Sequence, residues 1–147
     1  MPRPAVTPIG RQLGRVARDV NRAFGSALAA AGGSLPAWLI LISLKSGEAA
    51  SQRQLAGAVG IQDATLTHHL AAMEAAGLLT RRRDPVNRRV QRVELTAGGE
   101  ALFARLAGAA AAFDEQLRAG LSDADVQQAR RLLDALHRNA RAAGESG

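Results

Sequence analysis

Apolar residues return every three or four positions near the start of the chain, at Ile9, Leu13, Val16, Val20, Phe24 and Leu28. That spacing puts them on one face of a long helix, with arginines at 11, 15, 18 and 22 beside the stripe. Thr7-Pro8 reads as an N-cap followed by proline at the first helical position, and Gly32-Gly33 as the stop. The next segment, LPAWLILISLK behind Ser34, is apolar nearly all round, the mark of a capped core helix. The pattern then shortens. Ser51 with Gln54 makes a capping box for a helix over Arg53 to Val59, broken by Gly60. A second short helix begins near Gln62 or Asp63, turns Leu66, Leu70 and Met73 inward, and ends at Gly77. Two such helices joined by a tight glycine turn form a helix-turn-helix, whose second helix suits a DNA major groove.

Helical spacing is lost between Leu78 and Thr96. Short strand-like pieces there flank a Pro85-Val86-Asn87 turn, which predicts a two-stranded wing. Thr96 then caps a third long helix bearing Leu102, Leu106, Phe113, Leu117 and Leu121. Ser122 with Asp125 restarts the chain for a last helix striped by Val126, Ala129, Leu133 and Leu136, and a small polar tail follows Ala143. The predicted fold is mainly α with a small β-wing, in a single domain over residues 1–147. Its winged helix-turn-helix occupies 34–96, between long helices at 7–33 and 97–143. The stripes on those outer helices are too long for one small winged domain to bury. They predict a homodimer joined through the terminal helices.

Charge sharpens the picture. The net charge is +6, and eighteen of the nineteen cationic residues are arginine. A GC-rich genome accounts for arginine over lysine as readily as function does, but not for where the arginines fall. Six of them, with one aspartate, occupy the twelve residues from Arg81 to Arg92. A basic excess on one element is a footprint for polyanions, of which nucleic acid is the commonest.

The second helix of the pair offers Asp63, Thr65, Thr67, His68 and His69 on its polar face. Threonine and histidine can donate to phosphate, and a threonine methyl can pack on thymine's methyl. The expected DNA-binding set is these five with Ser51, Arg53, Arg81, Arg82, Arg88 and Arg89. Arg88 and Arg89 sit at the turn, where a narrow minor groove would attract them. Arg81, Arg82 and Arg83 suit phosphates or bracing through Asp84, and Arg92 suits either role.

Other chemistries find little support. The chain has no cysteine, which excludes disulfides, thiolate metal sites and thiol redox sensing. His68 and His69 are neighbours on a helix and point apart, and the third histidine, His137, is distant in sequence, so no metal is expected. Nucleophile-elbow, Walker and dinucleotide motifs are absent, and neither an enzyme nor a cofactor is expected. The opening MPRPAVTPIGRQ lacks the apolar run of a secretory signal, and Leu35 to Leu44 is too short to span a membrane. A soluble, cytoplasmic chain is the expectation.

The segments ATLTHHLAAMEAAGLLTRR, DPVNRRVQRVELTAGGE and LPAWLILISL resemble the recognition helix, the wing and the preceding helix of the MarR family of transcriptional regulators. The resemblance implies a homodimer clasped through its terminal helices. It also implies a pseudo-palindromic operator, usually repression, and release by a small, commonly aromatic ligand held in a crevice near Trp38. The groove-inserting arginine of the family aligns with Arg89. Two departures stand out. The family's Asp-x-Arg in the wing is Asn87-Arg88-Arg89 here, and a frequent arginine after Thr67 is His68. Two other readings compete with a regulator: an architectural winged helix that binds DNA without sequence preference, and a winged helix that binds protein. The latter needs an apolar recognition face and no arginine-rich wing.

Overall fold

The computed structural model describes residues 7–47 and 51–145. The opening residues 1–6 of the segment judged not to be a signal, and residues 146–147 of the polar tail, lie outside the described residues. The described chain runs α1 (Ile9–Ala30), α2 (Leu35–Lys45), α3 (Gln52–Val59), α4 (Asp63–Ala75), β1 (Leu79–Arg83), β2 (Gln91–Leu95), α5 (Ala97–Leu117) and α6 (Asp123–Glu145). It falls into two compact units divided between Ala111 and Ala112.

The first unit is built around α2, which packs on α1, α3, α4 and β2. Its apolar residues leave little to expose, and Ile40 and Leu41 are fully buried. Leu28 of α1, Leu55 of α3, Leu66 and Leu70 of α4, Leu79 of β1, Val93 of β2 and Leu106 of α5 complete the same core. Ser34 accepts from the Ala37 N–H at 3.2 Å, capping α2 as the sequence predicts. The capping box at α3 is complete in both directions: Ser51 Oγ accepts the Gln54 N–H and Gln54 Oε1 accepts the Ser51 N–H, each at 3.2 Å. That box starts the helix at Gln52, one residue before the predicted Arg53.

The other end of the pair is set by Gly77, at φ 75°. Its N–H and that of Leu78 return to the Glu74 and Met73 carbonyls, closing α4 with a left-handed cap. The chain enters β1 at once, and β1 pairs antiparallel with β2 from Leu79↔Leu95 to Arg83↔Gln91. Thr96 then holds two elements together. Its hydroxyl donates to the Gly77 carbonyl at 2.5 Å and accepts the Gly99 N–H at 3.1 Å.

Two boundaries differ from expectation. Pro8 occupies the N-cap position of α1 rather than its first turn, because its ψ of 134° is extended, and no side chain caps the helix. Helix α5 stops at Leu117, so Leu121 lies beyond it, past a turn in which Gly120 takes φ 81°.

In the second unit, Ser122 and Asp125 cap α6 reciprocally, at 2.9 and 3.1 Å. The backbone N–H of Ser122, followed by its hydroxyl, holds the Asp125 carboxyl below its ordinary range. Helix α6 buries no residue, and Leu132 and Leu133 stay half exposed. Among the described residues no single helix is long and apolar enough to cross a membrane.

Candidate nucleic-acid interface

The wing turn is organised by one carboxylate. Asp84 Oδ1 accepts the backbone N–H groups of Val86 and Asn87 at 2.8 and 2.9 Å, while Oδ2 accepts Arg92 Nε at 2.6 Å. Its own N–H donates to the Val90 carbonyl, closing the loop from below. The Asn87 amide oxygen accepts the Arg89 backbone N–H at 3.2 Å, a bond that needs no carboxylate. Val86 at the tip is 95% exposed, so the loop is held from inside rather than by packing.

Those bonds, the Asn87 N–H first and then Arg92, lower the Asp84 carboxyl from 3.8 to about 2. A carboxyl depressed on folding contributes stability that is fully present above its unfolded value and is lost as pH falls through its folded value. Wild-type protein should therefore lose stability between about pH 4 and pH 2 more steeply than Asp84→Asn. Urea midpoints measured across that range check this, and parallel slopes would rule Asp84 out as the cause.

The arginines divide into three groups. Arg81 lies on the core-facing side of β1, opposite Val93, with only 21% of its side chain exposed. Its N–H and guanidinium both donate to Glu74 of α4, at 2.9 and 3.2 Å, and the guanidinium bond holds that carboxyl below its ordinary range. Arg82 and Arg92 face each other across the strands, a repulsive placement that Glu94 and Asp84 neutralise. Arg83 donates to the Arg88 carbonyl at 3.4 Å. Bracing of Arg81, Arg82 and Arg83 through Asp84 is thus corrected: each has a different partner, and Asp84 takes Arg92. Arg81 is a clamp between α4 and β1 rather than a free phosphate contact. Arg53, Arg88 and Arg89 are exposed and form no ion pair among the described residues.

The wing is joined to the helix pair by an isolated β-bridge between Ser51 and Arg92. Between them lies a concave surface lined by Ser51, Gln52, Arg53 and Asp63 from the helices and by Asn87, Arg89, Val90 and Gln91 from the wing. Four of the expected residues, Ser51, Arg53, Asp63 and Arg89, meet on this one surface. Thr65, Thr67 and His68 are exposed along α4, while His69 is half buried with its ring edge-on to His68. Thr67 differs from expectation. Its hydroxyl donates to the Asp63 carbonyl at 2.8 Å, so its proton is not free for phosphate. Trp38 stands apart in the core, stacked on Phe103 at 5.7 Å, with Lys45 over the other ring and paired to Glu100.

Sequence reasoning missed Gln52, which lines the concave surface and donates to Thr67 at 2.7 Å. Its place at the first turn of α3, directly after the capping serine, was the available signal.

The model of the MarR family matches residues 34–90, from the cap of α2 to the end of the wing turn. Over that segment the chain is similar to the MarR family. Solved structures of MarR-type proteins extend the likeness beyond that segment. A MarR family transcription regulator aligns at 22% identity and a TM-score of 0.86, covering 95% of this chain and 92% of its own. A mutant MarR from E. coli complexed with operator DNA aligns at 21% identity and 0.79, covering 88% and 93%. The transcriptional repressor CouR bound to a 23-mer DNA duplex aligns at 26% identity and 0.79, covering 90% and 92%. The first two matches speak for the fold, and with it for the MarR arrangement of helix pair and wing.

Proposed function

We propose that this protein is a dimeric, sequence-specific DNA-binding transcriptional regulator of the cytoplasm. The observation that carries the reading is the concave surface shared by α3, α4 and the wing, where Arg53 and Arg89 are exposed and form no ion pair among the described residues. Cations left unpaired beside a helix of major-groove dimensions suit a duplex better than a neutral or cationic partner. Two proteins of this fold are seen with DNA, the E. coli MarR mutant and CouR. Recognition through Arg53, Asp63, Thr65, His68, Arg88 and Arg89, with Ser51 ordering the approach, is part of the proposal.

Competition binding tests it. A labelled duplex from beside the chain's own gene should be displaced by itself far better than by a scrambled duplex of equal length. Equal displacement favours the architectural alternative and defeats sequence specificity.

A homodimer through the terminal helices completes the reading. Ile9 and Val16 on α1 are 60% and 51% exposed, and Leu132 and Leu133 on α6 are 55% and 50% exposed, so each helix leaves apolar side chains for a partner to cover. Light scattering should give twice the chain mass at micromolar concentration; a stable monomer would defeat the dimer. Repression, a pseudo-palindromic operator and release by a small aromatic ligand rest on family likeness. The chain has a single tryptophan, so ligand entry near Trp38 would be read directly in its fluorescence.

A further inference from the structure

The exposed surface of the helix pair carries a hydrogen-bond chain that limits what Thr67 can do. Gln52 Nε2 donates to Thr67 Oγ at 2.7 Å, and the Thr67 hydroxyl donates to the Asp63 carbonyl at 2.8 Å. A threonine hydroxyl has one proton and two lone pairs. The proton and one lone pair are taken. Toward a ligand Thr67 therefore presents one remaining lone pair and its methyl group, and it cannot donate.

That excludes several partners on DNA. Phosphate oxygens only accept, and so do guanine N7 and O6 and thymine O4. The groups that match are the amino protons of adenine or cytosine and the thymine methyl. An A·T pair carries both an amino donor and a methyl in the major groove, whereas a G·C pair carries the donor alone. We propose that Thr67 selects an A·T pair in the major groove, and that Gln52 is the positioning residue that makes it do so by fixing its hydroxyl. The inference rests on the DNA-binding reading above and adds the base it reads. Gln52 reaches Thr67 from the surface it shares with Arg53 and Arg89, so the bond ties that surface to the exposed face of α4.

The test is selection from a randomised duplex pool by the full-length protein, by Thr67→Ser, by Gln52→Ala and by the double variant. Affinities follow for the selected site and for the same site with uracil in place of the thymine. Wild type should enrich A·T at one position per half-site and bind the uracil site less tightly. Thr67→Ser keeps the hydroxyl and loses the methyl, and should reduce the A·T preference by about tenfold, the worth of one base contact. Gln52→Ala should relax the same position and no other, since without the Gln52 donor the hydroxyl is held only by its bond to the Asp63 carbonyl and can turn from it to donate to guanine. The double variant should lose more of the preference than Thr67→Ser alone, because serine keeps the hydroxyl that Gln52 fixes. A uniform loss in Gln52→Ala with an unchanged profile would show a merely structural role and overturn the pairing. Undiminished uracil discrimination in Thr67→Ser would overturn the methyl contact. A pool that wild type fails to enrich would overturn the specific DNA reading, and the pair with it.

Discussion

Gly99→Ala is expected to destabilise the protein by about 3 kcal/mol, at the upper end of what one added methyl does in a packed site. A Cβ on Gly99 would stand 2.0 Å from the Leu78 carbonyl oxygen and 3.1 Å from a Leu95 methyl. The first obstacle is backbone, and it cannot swing aside. Leu78 is fixed by its own N–H to Met73 and by its carbonyl, which accepts from Thr96, so relief requires moving the start of α5 away from the sheet. Gly108 in the same helix provides the control. Nothing lies within 4 Å of its virtual Cβ, so Gly108→Ala should follow intrinsic helix propensity and stabilise by up to about 1 kcal/mol. Opposite signs for the same substitution in one helix, measured by urea unfolding at matched protein concentration, would establish the close approach. A neutral Gly99→Ala would show that the helix start yields.

Arg89→Ala is expected to lose about 1–3 kcal/mol on the specific operator, with weaker preference for A·T pairs flanking the major-groove site. Asn87 holds the Arg89 backbone and Asp84 holds the turn beneath it, so the exposed guanidinium starts from an ordered base. If the loop were only a solvated basic patch, operator and random DNA would lose affinity equally, with a shallower salt slope as the sole signature. Asp84→Ala provides a contrast of sign. It adds a net positive charge while releasing the Val86 and Asn87 N–H groups, so affinity for random DNA should rise as the operator preference falls. Both affinities at two salt concentrations decide the matter, and equal losses in Arg89→Ala would defeat groove insertion.

Local chemistry made most of the fold legible. Ser34, the Ser51–Gln54 box and the Ser122–Asp125 box each act within three residues, and Gly60 and Gly77 stop their helices because each takes a positive φ. What the sequence hid depends on elements coming together. Arg81 and Glu74 are seven residues apart, but their pairing requires the tight α4–β1 turn that puts a strand beside the helix it follows. The Gln52–Thr67 bond spans fifteen residues and exists only through the crossing of α3 and α4. The sequence offers Asp84 as a brace for the wing arginines, yet which of them it takes depends on strand register. Register sets Arg92 opposite Arg82 and leaves Arg92 near the turn carboxylate. Thr7-Pro8 marks the helix start one residue too early: Pro8 stands at the N-cap, and Thr7 does not cap the helix.

A two-stranded sheet ordinarily leaves both flanks able to recruit a further strand, including the same strand from another copy. Here the Glu74 carboxylate occupies the Arg81 N–H on the flank of β1, and Ser51 occupies that of β2 at Arg92. Any approach of one hairpin to another would also press the exposed Arg82 and Arg83 of β1 against their own kind. The wing is thereby guarded against self-association in a crowded solution, and the same guanidinium groups that bar a second hairpin leave a polyanion as the favoured visitor.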